Sequence, residues 1–298
     1  MLSVLPRVIL FPLHFLLQVT NLGFWATLII SLGVLKLILP LKWVTKLVSP
    51  MMHFFEFAFG VVSVRLIRLF NNVQWDVEIS GELSKDKWYL MMPNHISYLD
   101  IVLLIDFSAF RIPAPKFFLK KELIWLPFVG LGAWALDMPF MHRYSREYIE
   151  KNPHLKGKDI ETTRKYCQKF ESTPTTVINF VEGSRFTPLK HQLKKSPYSH
   201  LLPPKAGGVA FTLAAMGDLF TNILNVTILY PENSGHPMMD MLSGRLKHVV
   251  IKVEILPVDK LVIGDYFNDE DFKYQFQLWL NEAWSRKDKM ISQHMSSK

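Results

Sequence analysis

Apolar positions fall into two regimes along this chain. Before residue 70 they form nearly continuous runs, residues 8 to 19 and 22 to 39, broken by Pro12, His14, Gly23 and Lys36. Such runs predict helices that are apolar all round, which at a chain terminus meet lipid more often than a protein core. Residues 47 to 70 then mix Phe54, Phe55, Phe57, Phe59, Val62 and Leu66 with His53, Glu56, Arg65 and Arg68, the pattern of a helix lying in a membrane interface. Beyond residue 70, strand-like runs at 75 to 79, 87 to 92, 115 to 119 and 175 to 181 alternate with helical ones at 97 to 108, 158 to 171 and 206 to 217. Strands near 224 to 230 and 248 to 256 follow. Residues 268 to 288 open on acids and close on bases with aromatics at helical spacing, which predicts a C-terminal helix ahead of a frayed end. The expected fold is α/β, a mixed, largely parallel sheet flanked by helices. The expected division is an apolar, helical membrane-anchoring segment over residues 1–70 and the α/β domain over residues 71–298.

Composition sharpens the membrane expectation. A 49% hydrophobic content and a mean hydropathy of +0.15 are high for a soluble protein, and much of the excess lies before residue 70. No small-residue cleavage site follows the first run and a second apolar stretch does, which argues against a signal peptide. Lys36, Lys42 and Lys46 border the end of the second run while only Arg7 precedes the first, so the positive-inside rule places the rest of the chain in the cytoplasm. The net charge of +8 suits nucleic acid, anionic lipid or an acidic substrate. Its basic residues are interleaved with apolar segments and no zinc-finger or RNP-type signature is present, which favours lipid headgroups and no nucleic-acid partner. The single cysteine, Cys167, excludes an internal disulfide and fits a reducing compartment.

Candidate chemistry concentrates in two clusters. In Asn94-His95-Ile96-Ser97-Tyr98-Leu99-Asp100, a carboxylate on one imidazole nitrogen would fix the tautomer and leave the other nitrogen free to take a hydroxyl proton. A structural reading stands beside this one, because Ser97-x-x-Asp100 ahead of an apolar run matches a capping box. On one continuous helix His95 and Asp100 would diverge by about 140 degrees, so they meet only if His95 precedes the helix and Asp100 lies in its first turn. In Phe180-Val181-Glu182-Gly183-Ser184-Arg185, Gly183 permits a tight turn after a strand and Arg185 supplies a fixed, planar cation able to grip phosphate. A solvated turn is the plainer reading of that tetrapeptide taken alone. Between the clusters, Lys120 and Lys121 adjoin the apolar stretch Leu123 to Val129, suiting a headgroup with acyl chains or bilayer alongside; a solvated lysine pair is the alternative.

Other chemistries lack their signatures. No G-x-S-x-G nucleophile elbow occurs, so direct attack by a substrate hydroxyl is simpler than a covalent intermediate. The ten histidines show no HExxH or Cys/His spacing, so neither a metal nor a resident cofactor is expected. Gly130-Leu131-Gly132 superficially fits a dinucleotide fingerprint, but Pro127 spoils the preceding strand and Trp134 would open the helix.

Four segments taken in order resemble the glycerophospholipid acyltransferase family typified by 1-acylglycerol-3-phosphate acyltransferase. The H-x-x-x-x-D block is similar to His95 to Asp100, the K-x-E-L-x-x-x-P-x-x-G block to Lys120 to Gly130, the F-x-x-R position to Phe140 to Arg143, and the E-G-T-R block to Glu182 to Arg185 with serine for threonine. Asn225-Val226-Thr227 departs from the family's V-P-V-type strand by lacking the proline. Leu201 to Lys205, Asn225 to Thr227 and Trp134 to Phe140 look especially like the bacterial inner-membrane YihG-type branch, although related Pro-Pro-Lys segments also occur in eukaryotic lysocardiolipin-type members.

The resemblance implies transfer of a fatty acyl group from acyl-CoA or acyl carrier protein to the sn-2 hydroxyl of a lysophospholipid such as lysophosphatidic acid, at a bacterial inner membrane with the catalytic domain in the cytoplasm. His95 would be the base, oriented by Asp100. Arg185, Lys120 and Arg143 would hold the phosphate, with Glu182, Gly183, Ser184 and Asn94 shaping the site. Two alternatives of other classes are a membrane-associated lipid or thioester hydrolase, and a non-enzymatic basic module binding membrane or RNA.

Overall fold

The computed structural model describes residues 2, 6–141 and 169–296. Arg143, Cys167 and most of the expected helix 158 to 171 lie outside these described residues.

The apolar N-terminal segment forms two long helices, α1 (Arg7–Ile38) and α2 (Lys42–Phe70), joined by a short turn into an antiparallel hairpin. The two runs before residue 40 are thus one helix, continuous through Pro12 and Gly23, and α2 likewise runs through Pro50. Each proline deletes one backbone hydrogen bond, a local cost that apolar packing on both sides can offset. Within the seam Asn21 Nδ2 donates to Ser63 Oγ (2.8 Å) and to the Phe59 carbonyl (3.1 Å), satisfying buried polar groups and setting the register. Both helices are long and apolar enough by length and composition to cross a membrane.

The remainder is built on a six-stranded sheet. Its strands are β1 (Gln74–Ile79), β2 (Trp88–Pro93), β3 (Pro115–Phe117), β6 (Thr176–Ile178), β7 (Phe220–Leu229) and β8 (His248–Pro257), in the order β1-β8-β7-β2-β6-β3. Every neighbouring pair is parallel except β7 with β8. The mixed, largely parallel sheet flanked by helices is therefore as expected. The strand expected over 115 to 119 divides: after β3 the chain leaves the main sheet, and β4 (Leu119–Lys120) pairs with β5 (Phe140–Met141) in a separate two-stranded sheet.

Burial on both faces explains the nearly unbroken apolar sequence of β2. Tyr89 and Met91 face a core shared with α2 and α3 (Leu99–Arg111), whereas Leu90 and Met92 face a second core under α6 (Ala206–Met216) and α8 (Glu270–Ser296). Ile29 of α1 and Val44, Val48, Met52, Val64 and Ile67 of α2 belong to the first core, so the hairpin's inner face is continuous with the sheet's. Its outer face is bare: Val8, Leu16, Phe24, Trp43, Leu47 and Phe54 are all exposed.

A 3-10 turn at Lys121–Trp125 and three shorter α-helices, α4 (Val129–Ala135), α5 (Pro188–Leu193) and α7 (Pro237–Leu242), complete the described elements. The frayed C-terminus expected from sequence is not observed. α8 continues to Ser296 because Ile291, beyond its charged stretch, is buried against the second core.

Where α2 crosses α3 there is no room for a side chain: a Cβ on Gly60 would stand 2.6 Å from Ile105 Cγ2 and 2.9 Å from the Asp106 backbone nitrogen. Gly60→Ala should therefore lower stability by about 1–3 kcal/mol through overpacking. Gly23→Ala, whose Cβ would meet only Phe128 Cζ at 4.0 Å, should be neutral or slightly stabilising. Thermal unfolding of both variants in the same detergent checks the contrast, and equal losses would contradict it.

Candidate active site

Parallel pairing of β2 with β6 brings the two sequence clusters together. The register Tyr89↔Thr176, Leu90↔Val177, Met91↔Ile178 aligns the strands' C-terminal ends, the usual place for ligands in an open α/β sheet. His95 leaves β2 and Glu182 leaves β6 at that same edge, and the Phe186 N–H donates to the His95 carbonyl (2.7 Å), binding one loop to the other.

His95 sits in the loop before α3 and Asp100 in its first turn, the arrangement that lets them meet. His95 Nδ1 lies 2.8 Å from Asp100 Oδ2. The same oxygen accepts the N–H groups of Ile96 (2.7 Å) and Ser97 (2.9 Å), while Asp100 Oδ1 accepts the Tyr230 hydroxyl at 2.6 Å. The capping and orienting roles of Asp100 are thus compatible, since one carboxylate performs both. A carboxylate only accepts, so Nδ1 carries the proton and Nε2 presents its lone pair. Stacking on Phe180, with ring centroids 4.0 Å apart, holds the imidazole plane. Burial and the adjacent Asp100 carboxylate push the Tyr230 hydroxyl well above its ordinary value, so it remains a donor.

Asn94 lies beneath the site. Its side chain donates to the Ile228 carbonyl (3.0 Å) and accepts the Ile228 N–H (2.8 Å), clamping the end of β2 to β7.

Glu182 and Arg185 diverge. Gly183, at φ 70°, reverses the chain in a conformation that suits glycine, so that Glu182 turns inward and Arg185 outward. The Arg185 guanidinium stacks over the Tyr98 ring at 3.8 Å, and Ser184 is half-buried beside it. Next to them opens a cavity of about 740 Å³ whose walls include Ser97, Tyr98, Arg185, Tyr230, Met238 and Met239. Lys120, exposed at the end of β4, is close enough to act electrostatically on the same patch. Partial burial and the charges of Arg185, Lys194 and Lys120 together hold Lys190 below the ordinary lysine range. Arg143 lies outside the described residues.

Besides Tyr230, one further group escaped the sequence reading. Lys287 of α8 is fully buried, its ammonium donating to the carbonyls of Met92 (2.9 Å) and Val226 (2.7 Å) and resting 4.1 Å from the Trp284 ring centre. Burial pushes Lys287 down to about 7, opposed by the nearby carboxylates of Glu182 and Glu254. Burial also pushes Glu182 up to about 8, opposed by Lys287 and by the Leu202 N–H, which reaches Glu182 Oε2 at 3.4 Å. Spacing offers no signal for Lys287; a lysine at an apolar helical position near Trp284 is the only hint.

Comparison with known proteins completes the picture. The model of the Acyltransferase family matches residues 75–230, more than half the chain, and the protein belongs to that family. The 1-acyl-sn-glycerol-3-phosphate acyltransferases delta of Mus musculus and Homo sapiens are 25% and 24% identical over 181 residues, 58% of this chain. The chain spans less than half the length of these relatives, 43% of each. An acyltransferase of Schizosaccharomyces pombe is 24% identical over 85% of this chain and 77% of its own. The crystal structure of PlsC, the 1-acyl-sn-glycerophosphate acyltransferase of Thermotoga maritima, superposes with a TM-score of 0.57 at 18% identity, covering 96% of both chains. The fold is therefore shared with that enzyme.

A pH prediction follows from Glu182. Its folded value near 8 exceeds the ordinary 4.5, so the folded state holds the proton more tightly. That stabilisation is complete below about pH 4.5 and is lost as pH rises towards 8. Lys287, depressed to about 7 from 10.5, acts in the opposite sense, its cost being relieved only above 7. Between pH 4.5 and 7, wild-type stability should fall relative to Glu182→Gln, by an amount on the order of a few kcal/mol. Parallel pH-dependent melts of the two proteins would contradict this.

Proposed function

We propose that this acyltransferase moves a fatty acyl group from an acyl thioester, either acyl-CoA or acyl carrier protein, to the sn-2 hydroxyl of a lysophospholipid, converting lysophosphatidic acid to phosphatidic acid. The observation that carries the reading is His95 Nδ1 held at 2.8 Å by buried Asp100 beside the loop that bears Arg185. Nε2 of His95 accepts the proton of the acceptor hydroxyl as its oxygen attacks the thioester carbonyl. The tetrahedral intermediate collapses, the C–S bond breaks, and the departing thiolate takes the proton back from Nε2. Asp100 fixes the tautomer and stabilises the transient imidazolium. Arg185 and Lys120, with Arg143 by family resemblance, hold the acceptor phosphate. Gly183 and Ser184 shape that loop.

The exposed apolar face of the hairpin supports catalysis at a bilayer, where the acceptor lipid resides and need not be extracted into water. Lys36, Lys42 and Lys46 support a cytoplasmic orientation, and the resemblance of Leu201 to Lys205 supports a bacterial inner membrane.

Reconstituted protein supplied with oleoyl-CoA and lysophosphatidic acid should yield phosphatidic acid by mass spectrometry. His95→Ala should reduce the rate by roughly 10²–10⁴-fold, the usual share of a general base. Arg185→Ala should raise KM for lysophosphatidic acid at least about tenfold, the loss of one charge-assisted contact. Release of free fatty acid at the same rate with and without acceptor would establish a hydrolase instead.

Tyr230→Phe removes one donor from a buried carboxylate and should lower kcat by about tenfold or more without changing KM. An unchanged kcat would show that the three remaining donors suffice to hold Asp100.

A further inference from the structure

A second basic site lies at the end of the sheet away from His95. A cavity of about 810 Å³ opens between the tip of the α1–α2 hairpin and the start of β6, where Thr175 forms part of its wall. Arg185 and its loop follow the opposite end of that strand. Five lysines line the cavity, Lys36, Lys42, Lys46, Lys116 and Lys169, against a single carboxylate among the described residues, Asp137.

That carboxylate is already shared. Asp137 binds Lys36 at 2.7 Å and Lys169 at 2.8 Å, while buried Lys116 donates to the Leu136 carbonyl at 2.7 Å. Lys42 and Lys46, one turn apart on α2 and both exposed, meet no carboxylate among the described residues. The first turn of α2 contributes no acidic residue, so its N–H groups add positive potential to the same space.

The surroundings say what kind of anion fits. Leu37, Ile38, Trp43 and Leu47 flank these lysines at the hairpin tip and are each more than three-fifths exposed. A free polar anion has no use for that apolar collar. A phosphodiester attached to acyl chains does, with its phosphate among the lysines and its chains against the tip, and long lysine stems bridge the two regions.

We propose that this cavity is a non-catalytic binding site for the headgroup of an anionic phospholipid of the bilayer, distinct from the acceptor site at His95. Lys42 and Lys46, which meet no carboxylate among the described residues, carry the recognition, and the apolar tip commits the site to lipid over soluble phosphate. The site would hold the hairpin against an anionic membrane whichever lipid the catalytic end acts upon, so it stands independently of the proposed reaction.

The test is native mass spectrometry of the full chain in detergent, titrated with dioctanoyl phosphatidylglycerol, dioctanoyl phosphatidylcholine or inorganic phosphate. Each lysine near an anionic lipid surface is worth about 1 kcal/mol, so Lys42→Gln with Lys46→Gln should weaken phosphatidylglycerol binding about thirtyfold. Phosphatidylcholine binding should change little. Removing the same charge at exposed Lys87 and Lys260 should have no effect, and the Lys42/Lys46 loss should persist in an Arg185→Ala background, where lipid held at the catalytic end is already weakened. Equal losses in the Lys87/Lys260 control would reduce the effect to net charge and overturn the site, as would disappearance of the Lys42/Lys46 effect in the Arg185→Ala background or no loss in the double variant. Inorganic phosphate bound as tightly as the lipid, with the same dependence on Lys42 and Lys46, would overturn the lipid assignment.

Discussion

The buried carboxylate of Asp100 is the constraint around which the site is assembled. It has no exposure to solvent and draws its donors from three places: the His95 ring, the N–H groups of Ile96 and Ser97, and the hydroxyl of Tyr230 just beyond β7. A buried charge is tolerable only when so compensated, and removal of any partner exposes its desolvation cost. The loop after β2, the first turn of α3 and the end of β7 are consequently locked to one another. The imidazole that results has a defined tautomer and an Nε2 with no hydrogen-bond partner among the described residues, which is what proton transfer from a hydroxyl requires.

A second buried polar layer ties the C-terminal helix to this edge of the sheet. Lys287 joins the carbonyls of Met92 and Val226, the former two residues before Asn94, while Trp284 Nε1 donates to the Leu202 carbonyl at 3.1 Å. Leu202 in turn meets Glu182. The inward turn of Glu182 thus belongs to the support of the site, whereas Arg185, three residues on, faces the cavity. Gly183 separates the two directions.

The hairpin reconciles two solvents. Its inner face is part of the sheet's own core, and Asn21 and Ser63 in its polar seam are hydrogen-bonded to each other while the outer face is left apolar. On the proposed function, an edge bearing His95 joined to an apolar surface would suit chemistry on an amphipathic acceptor, because orientation at a bilayer replaces a search through water.

Short-range chain geometry made much of this legible in the sequence. Period and apolar run length depend on neighbouring residues alone, and they sufficed for the alternating α/β pattern, the long N-terminal helices and the loop-then-helix placement of His95 and Asp100. Gly183 announced its turn for the same reason. What required the tertiary structure was everything decided by pairing and burial between distant segments. The register of β2 on β6 set the clusters side by side, and packing onto the second core extended α8 to Ser296 where its polar sequence suggested fraying. The same packing placed Tyr230 on Asp100, buried Lys287 beneath β2 and β7, and turned Glu182 away from Arg185. Those partners stand more than a hundred residues from His95 or face away from their neighbours in sequence, so no local periodicity encodes them; desolvation and hydrogen-bond satisfaction in the folded chain select them.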